Sequence, residues 1–376
     1  MTLELYILRR LVIGFLFACG AMTMVAIPCV LMHAVHKVAG VGMSAVLGFM
    51  PILMLELAPY LIPIGFLLAL VTTYGRLAAD NEWTAIQMTG VHPLKMLRPA
   101  ALMAVVLSAA LGYLAAEVSP TLNYRKRSYT KSQGMQLLRN LSPGRTEIKI
   151  GDFYLSARER DQDDRNRFRQ VFLHLPADDD RPAQTLYAQS IEVELEGSIV
   201  WIDLTWPRWA DEEYDMRVGN ARLRIDLAKH SPGEERMQTA WRFQDSTVLA
   251  QRIDNTERKL AEGPAADFVF SDEQGYVEPK DLALAKFDLH SRRALAGICP
   301  MFLLLGIPTG LFLRRGSQLG AMAASIVYAL LYYLISMRMG KVLGGSEAVP
   351  QWLAAWGATI LGSVAGGVLL WRTLRR

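Results

Sequence analysis

Six stretches of this chain run on without a single Asp, Glu, Lys or Arg: Leu11 to Met32, Leu57 to Gly75, Pro99 to Ala116, Ala294 to Leu313, Gly316 to Met337 and Ala348 to Trp371. A helix needs roughly 20 apolar residues to cross a bilayer core, and each stretch meets or nearly meets that length. The mean hydropathy of +0.19, with 52% hydrophobic and 20% charged residues, agrees with a membrane chain. The apolar excess sits at the two ends, while the middle reads like an ordinary water-soluble domain. That division excludes a cytosolic enzyme, a disordered chain and a uniformly hydrophobic channel. The first stretch is too long for the core of a cleavable signal and lacks a small-x-small cleavage site, so it is expected to stay in the protein.

Six spans place both termini on one side. Segments on that side hold Arg9, Arg10, Arg76, Lys95, Arg98, Arg314, Arg315, Arg372, Arg375 and Arg376, against Glu4, Asp80 and Glu82. The short loops opposite hold only Lys37, Arg338 and Lys341 as cations. Basic loops face the cytoplasm, so both termini are expected there. A further uncharged run, Val38 to Leu55, contains Gly40, Gly42, Gly48, Ser44 and Pro51, which weaken it as a helix. A seventh span would also invert every later loop, so the run is read as an extracytoplasmic apolar loop.

Between the third and fourth spans, Glu117 to Arg293 holds 27 basic and 31 acidic residues, and the topology puts it outside the cytoplasm. From Thr146 the hydrophobic period is two: Glu147 to Ile150, Phe153 to Leu155, Val171 to Leu175, Thr185 to Ala188, Ile191 to Leu195, Ile199 to Leu204 and Ala221 to Ile225. These read as short strands of an antiparallel sandwich or jelly roll. Arg158 to Arg169 and Asp178-Asp179-Asp180 read as solvated hairpin tips, and Gln251 to Phe287 as a polar return with a helix before the membrane.

Chemistry is sparse. The whole-chain balance, 40 Lys+Arg against 36 Asp+Glu, gives +4 and no nucleic-acid footprint. His33 and His36 share a helical face without an acidic companion, which leaves no metal signature. Gly340-Lys341 is followed by Val342, so no phosphate-binding loop is present, and neither G-x-S-x-G nor H-E-x-x-H occurs. Cys19, Cys29 and Cys299 lie in apolar runs and offer the polar insert no disulfide. No catalytic residue, metal or cofactor is assigned to the chain.

The most specific stretch is the loop from Tyr74 to Pro93. Asp80 or Asn81 caps a short helix, Glu82 suits its positive end, and Gly90 with Pro93 stops it. The simple reading is an interfacial helix anchored by Trp83. The functional reading is a lever, at about 76–90, that fits a groove on a soluble motor subunit. Here the chain resembles the LptF/LptG (YjgP/YjgQ) permeases that export lipopolysaccharide. The resemblance rests on Gly75-Arg76-Leu77, Glu82, Thr84-Ala85 and Gly90, then Leu97-Arg98-Pro99. It continues through Tyr6 and Arg9, Pro59 and Pro63, Arg292-Arg293-Ala294, Gly306 to Gly310, Tyr332-Tyr333, and Pro350 with Trp352 to Trp356. The chain departs from the family pattern at Leu5, at Ala296-Gly297 where a proline is usual, and at Trp356-Gly357-Ala358-Thr359, where the family has W-x-P-N. These departures leave the transported lipid open.

The resemblance implies a membrane α+β protein: six transmembrane helices (3+3) with an inserted extracytoplasmic antiparallel β-jelly-roll domain. Its parts are 1–117, 118–290 and 291–376. It implies a bacterial inner-membrane permease subunit without enzymatic activity. That subunit pairs with a second LptF/LptG-type permease, binds an LptB-like ABC ATPase dimer that uses ATP and Mg, and passes lipopolysaccharide or a related lipid to LptC/LptA-like jelly-roll bridges. The implied ATPase-coupling residues are Glu82, Arg76, Thr84, Ala85 and Gly90. Lys37, Arg125, Lys126 and Arg127 are the cations near a lipid headgroup, and Tyr154, Phe172 and Trp201 are expected to line an acyl-chain groove. Glu56, costly in lipid, is expected to pair with Lys37 or Lys341. Readings from other classes are a non-transporting scaffold with a periplasmic binding domain, an envelope-glycan enzyme working through carboxylates in the insert, and a permease for another lipid or lipoprotein.

Overall fold

A computed structural model describes residues 3–37, 43–139, 147–150, 153–160, 167–175, 184–196, 199–209, 219–226, 240–262, 279–312, 318–344 and 349–375. The chain divides into two compact units. One comprises Met1–Lys37, Val46–Arg127 and Gln238–Arg376, and the other Val38–Ala45 with Ser128–Met237. The polar insert read as 118–290 is therefore shared between them, since its last part packs with the helices.

The helical unit begins with α1 (Leu3–Lys37) and α2 (Met43–Ala79), followed by the short α3 (Glu82–Met88) and by α4 (Pro93–Tyr113). A π-helical turn, Leu114–Val118, joins α4 to α5 (Ser119–Arg139). After the sheet come a 3-10 turn (Trp241–Phe243), α6 (Ser246–Glu262), α7 (Pro279–Ala296), α8 (Ile298–Phe312), α9 (Gln318–Leu343) and α10 (Gln351–Leu374). Among the described residues four helices are long and apolar enough to cross a membrane: Leu3–Val35, Met43–Ala79, Pro93–Tyr129 and Gln351–Leu374. Leu282–Ala296 and Ile298–Phe312 form a fifth candidate, broken and bent by 43°. The sixth expected span falls in α9, where the apolar helix among the described residues is only Met322–Ser336.

The run Val38 to Leu55 is not a loop throughout. From Met43 it is the first part of α2, which carries Pro51, Pro59 and Pro63 inside one helix. Apolar surroundings offer unpaired backbone no water, so helix is retained where propensity alone would break it.

Small residues set the helix spacing. A Cβ on Gly310 of α8 would stand 2.8 Å from the Val71 carbonyl oxygen and 3.0 Å from the Gly75 nitrogen, so α8 and α2 meet backbone to backbone. On Gly366 of α10 it would stand 2.8 Å from Leu304 Cβ. The core between these helices contains Ile7, Phe66, Leu70, Tyr74, Met96 and Ile307, all fully buried. By contrast only 6% of the most apolar window of α1 is buried inside the chain, and Phe17, Met24 and Val25 point outward.

The second unit carries six strands in simple succession: β1 (Glu147–Ile150), β2 (Phe153–Arg160), β3 (Arg167–Leu175), β4 (Gln184–Glu196), β5 (Ile199–Trp209) and β6 (Asn220–Asp226). Every neighbouring pair is antiparallel. The result is a meander, and the crossovers that distinguish a jelly roll are not among the described connections. One face is apolar and buried: Val171, Leu173, Leu186, Ala188, Ile202 and Leu204. Left-handed backbone at Gln170 (φ 52°) and Trp206 (φ 53°) interrupts the alternation, so Phe168 and Val171 are both buried although three residues apart.

Candidate functional site

Short helix α3 is built by local geometry at both ends. At its start Asn81 takes a left-handed conformation (φ 57°) and makes no side-chain cap bond. Its carbonyl instead accepts from the Ala85 N–H at 3.0 Å. At the end the Thr89 hydroxyl donates to the Ile86 carbonyl at 2.7 Å. Gly90 then supplies the left-handed turn (φ 80°), and His92 Nδ1 accepts from the Leu94 N–H at 3.2 Å to open α4 with Pro93 in its first turn.

The side chains of α3 divide by face. Trp83 meets Tyr74 of α2 edge to face, with ring centroids 6.1 Å apart, and Tyr74 donates to the Met96 carbonyl of α4 at 2.8 Å. Ile86 and Val91 pack on the same core. Glu82 turns towards α1. Its Oε2 accepts from Tyr6 Oη and Arg10 Nη1, both at 3.0 Å, and its Oε1 from Arg10 Nη2 at 3.2 Å and Tyr6 Oη at 3.3 Å. The Arg10 guanidinium also lies 4.5 Å from the centroid of the Tyr6 ring. With 31% of Glu82 and 38% of Arg10 open to solvent, the forked pair contributes towards the lower end of the ~1.5–3 kcal/mol typical of hydrogen bonds to charge. Arg76, Ala85, Gln87, Met88, Thr89 and Gly90 are exposed, Met88 at 83%, while Thr84 is half-buried. Nearby, Arg98 reaches Glu4 at 3.6 Å.

Among the described residues, the expected headgroup cations have different surroundings. Lys37 ends α1, and its side chain is outside the described residues. Arg125 is exposed. Lys126 bonds Glu56 of α2 at 2.7 and 2.9 Å, while the side chains of Lys37 and Lys341, the partners expected for Glu56, lie outside the described residues. The Arg127 guanidinium lies 5.3 Å from the Phe243 ring centroid. None of this was readable locally, since Glu56 and Lys126 stand 70 residues apart.

Of the expected acyl-groove residues, Phe172 and Trp201 alternate in register with the buried Val171, Leu173 and Ile202. Phe172 is half exposed and packs on Tyr187, centroids 4.9 Å apart. Trp201 lies under the Arg222 guanidinium at 4.8 Å, and Arg222 bridges to Asp203 at 3.3 Å. For Tyr154 the structure gives only its register opposite Lys149 and His174. An apolar pocket of about 430 Å³ instead opens between α1 and α2, lined by Cys19, Thr23 and Ile27 on one side and Met50, Pro51 and Met54 on the other. Among the described residues no group of His, Cys, Asp and Glu is placed to hold a metal.

The family model for the lipopolysaccharide export system permease LptF/LptG matches residues 5–372. The chain belongs to that family. No curated protein is similar enough in sequence to count as a match. As an LptF/LptG protein the chain is an integral membrane component of lipopolysaccharide export, a transport protein rather than an enzyme, in a family that works within a complex with other proteins.

Proposed function

We propose that this LptF/LptG chain is the permease subunit of an ABC exporter in the bacterial inner membrane, with both termini cytoplasmic and the sheet periplasmic. It pairs with a second permease of its kind on an LptB-like ATPase dimer, which supplies ATP and Mg chemistry. It lifts lipopolysaccharide or a related lipid towards LptC/LptA-like periplasmic bridges of the jelly-roll type. The observation that carries this reading is the family match over residues 5–372.

Geometry supports the division of labour. Helix α3 stands at the basic end of the spans, where Arg9, Arg10, Arg76, Arg98 and Lys95 gather. Exposed Ala85 and Met88 of α3, with Arg76 at the end of α2, Gly90 just after α3 and half-buried Thr84, offer side chains to a groove on a soluble ATPase. The apolar pocket between α1 and α2 accepts acyl chains from the bilayer, and Arg125, Lys126 and Arg127 stand at the far end, where anionic headgroups lie.

Purification of the full-length chain from its native membrane tests the proposal. We expect an ABC ATPase to co-purify and its ATP turnover to rise when lipopolysaccharide is included in the nanodisc. A chain that carries no ATPase is a scaffold, and the proposal falls.

A further inference from the structure

We propose that Tyr6 and Arg10 are positioning residues for α3, and that Glu82 ties α3 to the first span instead of meeting the ATPase. A displacement of α3 is then carried directly into α1. The inference rests on the coupling role given to α3 above.

A carboxylate offers about four acceptor positions. Both oxygens of Glu82 are already engaged, Arg10 filling one position on each with its planar fork and Tyr6 directing its hydroxyl between them. An arginine or lysine from a partner would have to displace this fork to read the charge of Glu82. Tyr6 and Arg10 are four residues apart on α1 and so share one face. The stacking of Arg10 on Tyr6 fixes the guanidinium before Glu82 arrives. Arg is suited to this task in a way Lys is not, because its fork is rigid and bidentate.

The attachment matters because the middle of α1 has little to hold it, its start being fixed by Glu82 and by the buried Ile7 and Leu11. Only 6% of its most apolar window is buried within the chain, and its close packing on α2 runs through Gly14 and the Cys19–Gly65 contact. Its end at Tyr6 and Arg10 is therefore gripped by α3, while its middle faces outward and also walls the apolar pocket. On the other side of α3, Trp83 bears on Tyr74 of α2. A push on the exposed Met88 side thus reaches α1 through an ionic fork and α2 through an aromatic contact. Moving one relative to the other changes the pocket they share.

The test compares the native chain with Arg10→Ala, Arg10→Glu, Arg10→Lys and the exchange Arg10→Glu/Glu82→Arg. Each is prepared as the full-length chain in nanodiscs containing lipopolysaccharide, together with its co-purifying ATPase. Hydrogen exchange of the α3 amides reads the anchor in the permease itself. Arg10→Ala and Arg10→Glu should speed it about tenfold, the factor for one charge-assisted hydrogen bond, with Arg10→Lys intermediate. Lipopolysaccharide-stimulated ATP turnover reads the coupling. Arg10→Glu should abolish most of the stimulation while basal turnover and ATPase retention stay native, and the charge exchange should restore both readouts. Unchanged α3 exchange in Arg10→Ala overturns the anchor. An exchanged pair that regains α3 protection yet stays uncoupled overturns the assignment of Glu82, because a partner then reads its sign. If the native chain retains no ATPase, it is the permease reading that fails, and the hydrogen-exchange arm still decides the anchor.

Discussion

Arg292 provides the sharpest energetic test of the helical unit. Its family-matching neighbourhood, Arg292-Arg293-Ala294, reads in the sequence as a basic entry to a span, yet the Arg292 side chain is only 10% exposed. Nη1 donates to the Gln244 carbonyl at 2.7 Å and Nη2 to the Arg242 carbonyl at 3.1 Å. Asp288, one turn back on α7, lies 2.6 Å from Nη2 as its counter-ion. The guanidinium thereby pins the 3-10 turn that carries Trp241 onto the apolar cluster of Leu249, Ile253, Leu282 and Leu289. Arg292→Met keeps the volume but orphans two carbonyls and the Asp288 carboxylate. A buried carbonyl left without a donor costs about 1–3 kcal/mol, less here because Arg242 is exposed and Gln244 half-buried, and removing one member of a buried ion pair costs about 3–5 kcal/mol. The contributions overlap, and Asp288 keeps 35% exposure, so the loss should be about 3–4 kcal/mol. At roughly 2–4 °C per kcal/mol for a chain of this class, the apparent Tm of the detergent-solubilised protein should fall by about 6–15 °C, with Trp fluorescence reporting early release of Trp241. Asp288→Asn, which preserves both carbonyl contacts, should cost less, and the double variant should recover part of the Arg292→Met loss by removing the stranded carboxylate. An Arg292→Met protein within about 0.5 kcal/mol of native would refute the reasoning, as would a double variant worse than Arg292→Met.

Two further expectations concern packing. Gly310→Val should cost about 1–3 kcal/mol of overpacking, because even a Cβ would meet the Val71 carbonyl oxygen at 2.8 Å. Gly367→Ala, where a Cβ meets nothing within 4 Å, should be neutral or slightly stabilising, and equal Tm shifts for the two would discredit backbone contact as the reason for glycine. In the sheet, Leu186→Ala at a fully buried position should cost about 2–5 kcal/mol and raise hydrogen exchange along β4. Phe172→Ala, half exposed and resting chiefly on Tyr187, should cost about 1 kcal/mol, and a reversed order would mean the buried face is assigned wrongly.

The long apolar helices were legible because an uncharged run of about 20 residues has few alternatives. The end of α3 was legible too, since Gly90 and Pro93 constrain the backbone by themselves, whereas Asn81 opens the helix in a left-handed conformation without the expected side-chain cap. What stayed hidden were pairings distant in sequence. Glu82 was singled out for its place in a motif, but its partners lie 72 and 76 residues away, and nothing local marks Arg10 as more than one cation among several. The same distance hid Lys126 from Glu56. Strand alternation was visible in the sheet, yet parity alone could not choose the face. Counting by twos from the buried Phe168 leads to Phe172, whereas left-handed Gln170 resets the count so that Val171 and Leu173 are buried instead. Prolines misled in the opposite direction at Pro51, where a breaker in water is tolerated in an apolar helix.

The departures of this chain from its family pattern acquire a physical meaning once their positions are seen together. At Ala296-Gly297 a usual proline is missing, and Trp356-Gly357-Ala358-Thr359 lacks the proline and asparagine of W-x-P-N. A Cβ on Gly297 would stand 3.1 Å from Thr359 Cγ2 and 3.1 Å from the Trp356 ring, so the two departures face each other across one helix contact. Gly297 is also where α7 and α8 break, a bend made here by the Gly297 N–H donating to the Ala294 carbonyl at 2.9 Å and not by a proline. Thr359 in turn meets the Tyr332 hydroxyl at 3.2 Å, a contact asparagine would make differently. Against the same break, Gly112 of α4 brings a Cβ position within 3.5 Å of Ala296, just before the π-helical turn whose Ala116 carbonyl accepts from Ser246 at 3.3 Å. Two helix irregularities are thus packed side by side, one bridged by a local bond at Gly297 and the other by the Ser246 hydroxyl. Both departures thus lie in one helix contact, and the break at Gly297 is made without a proline.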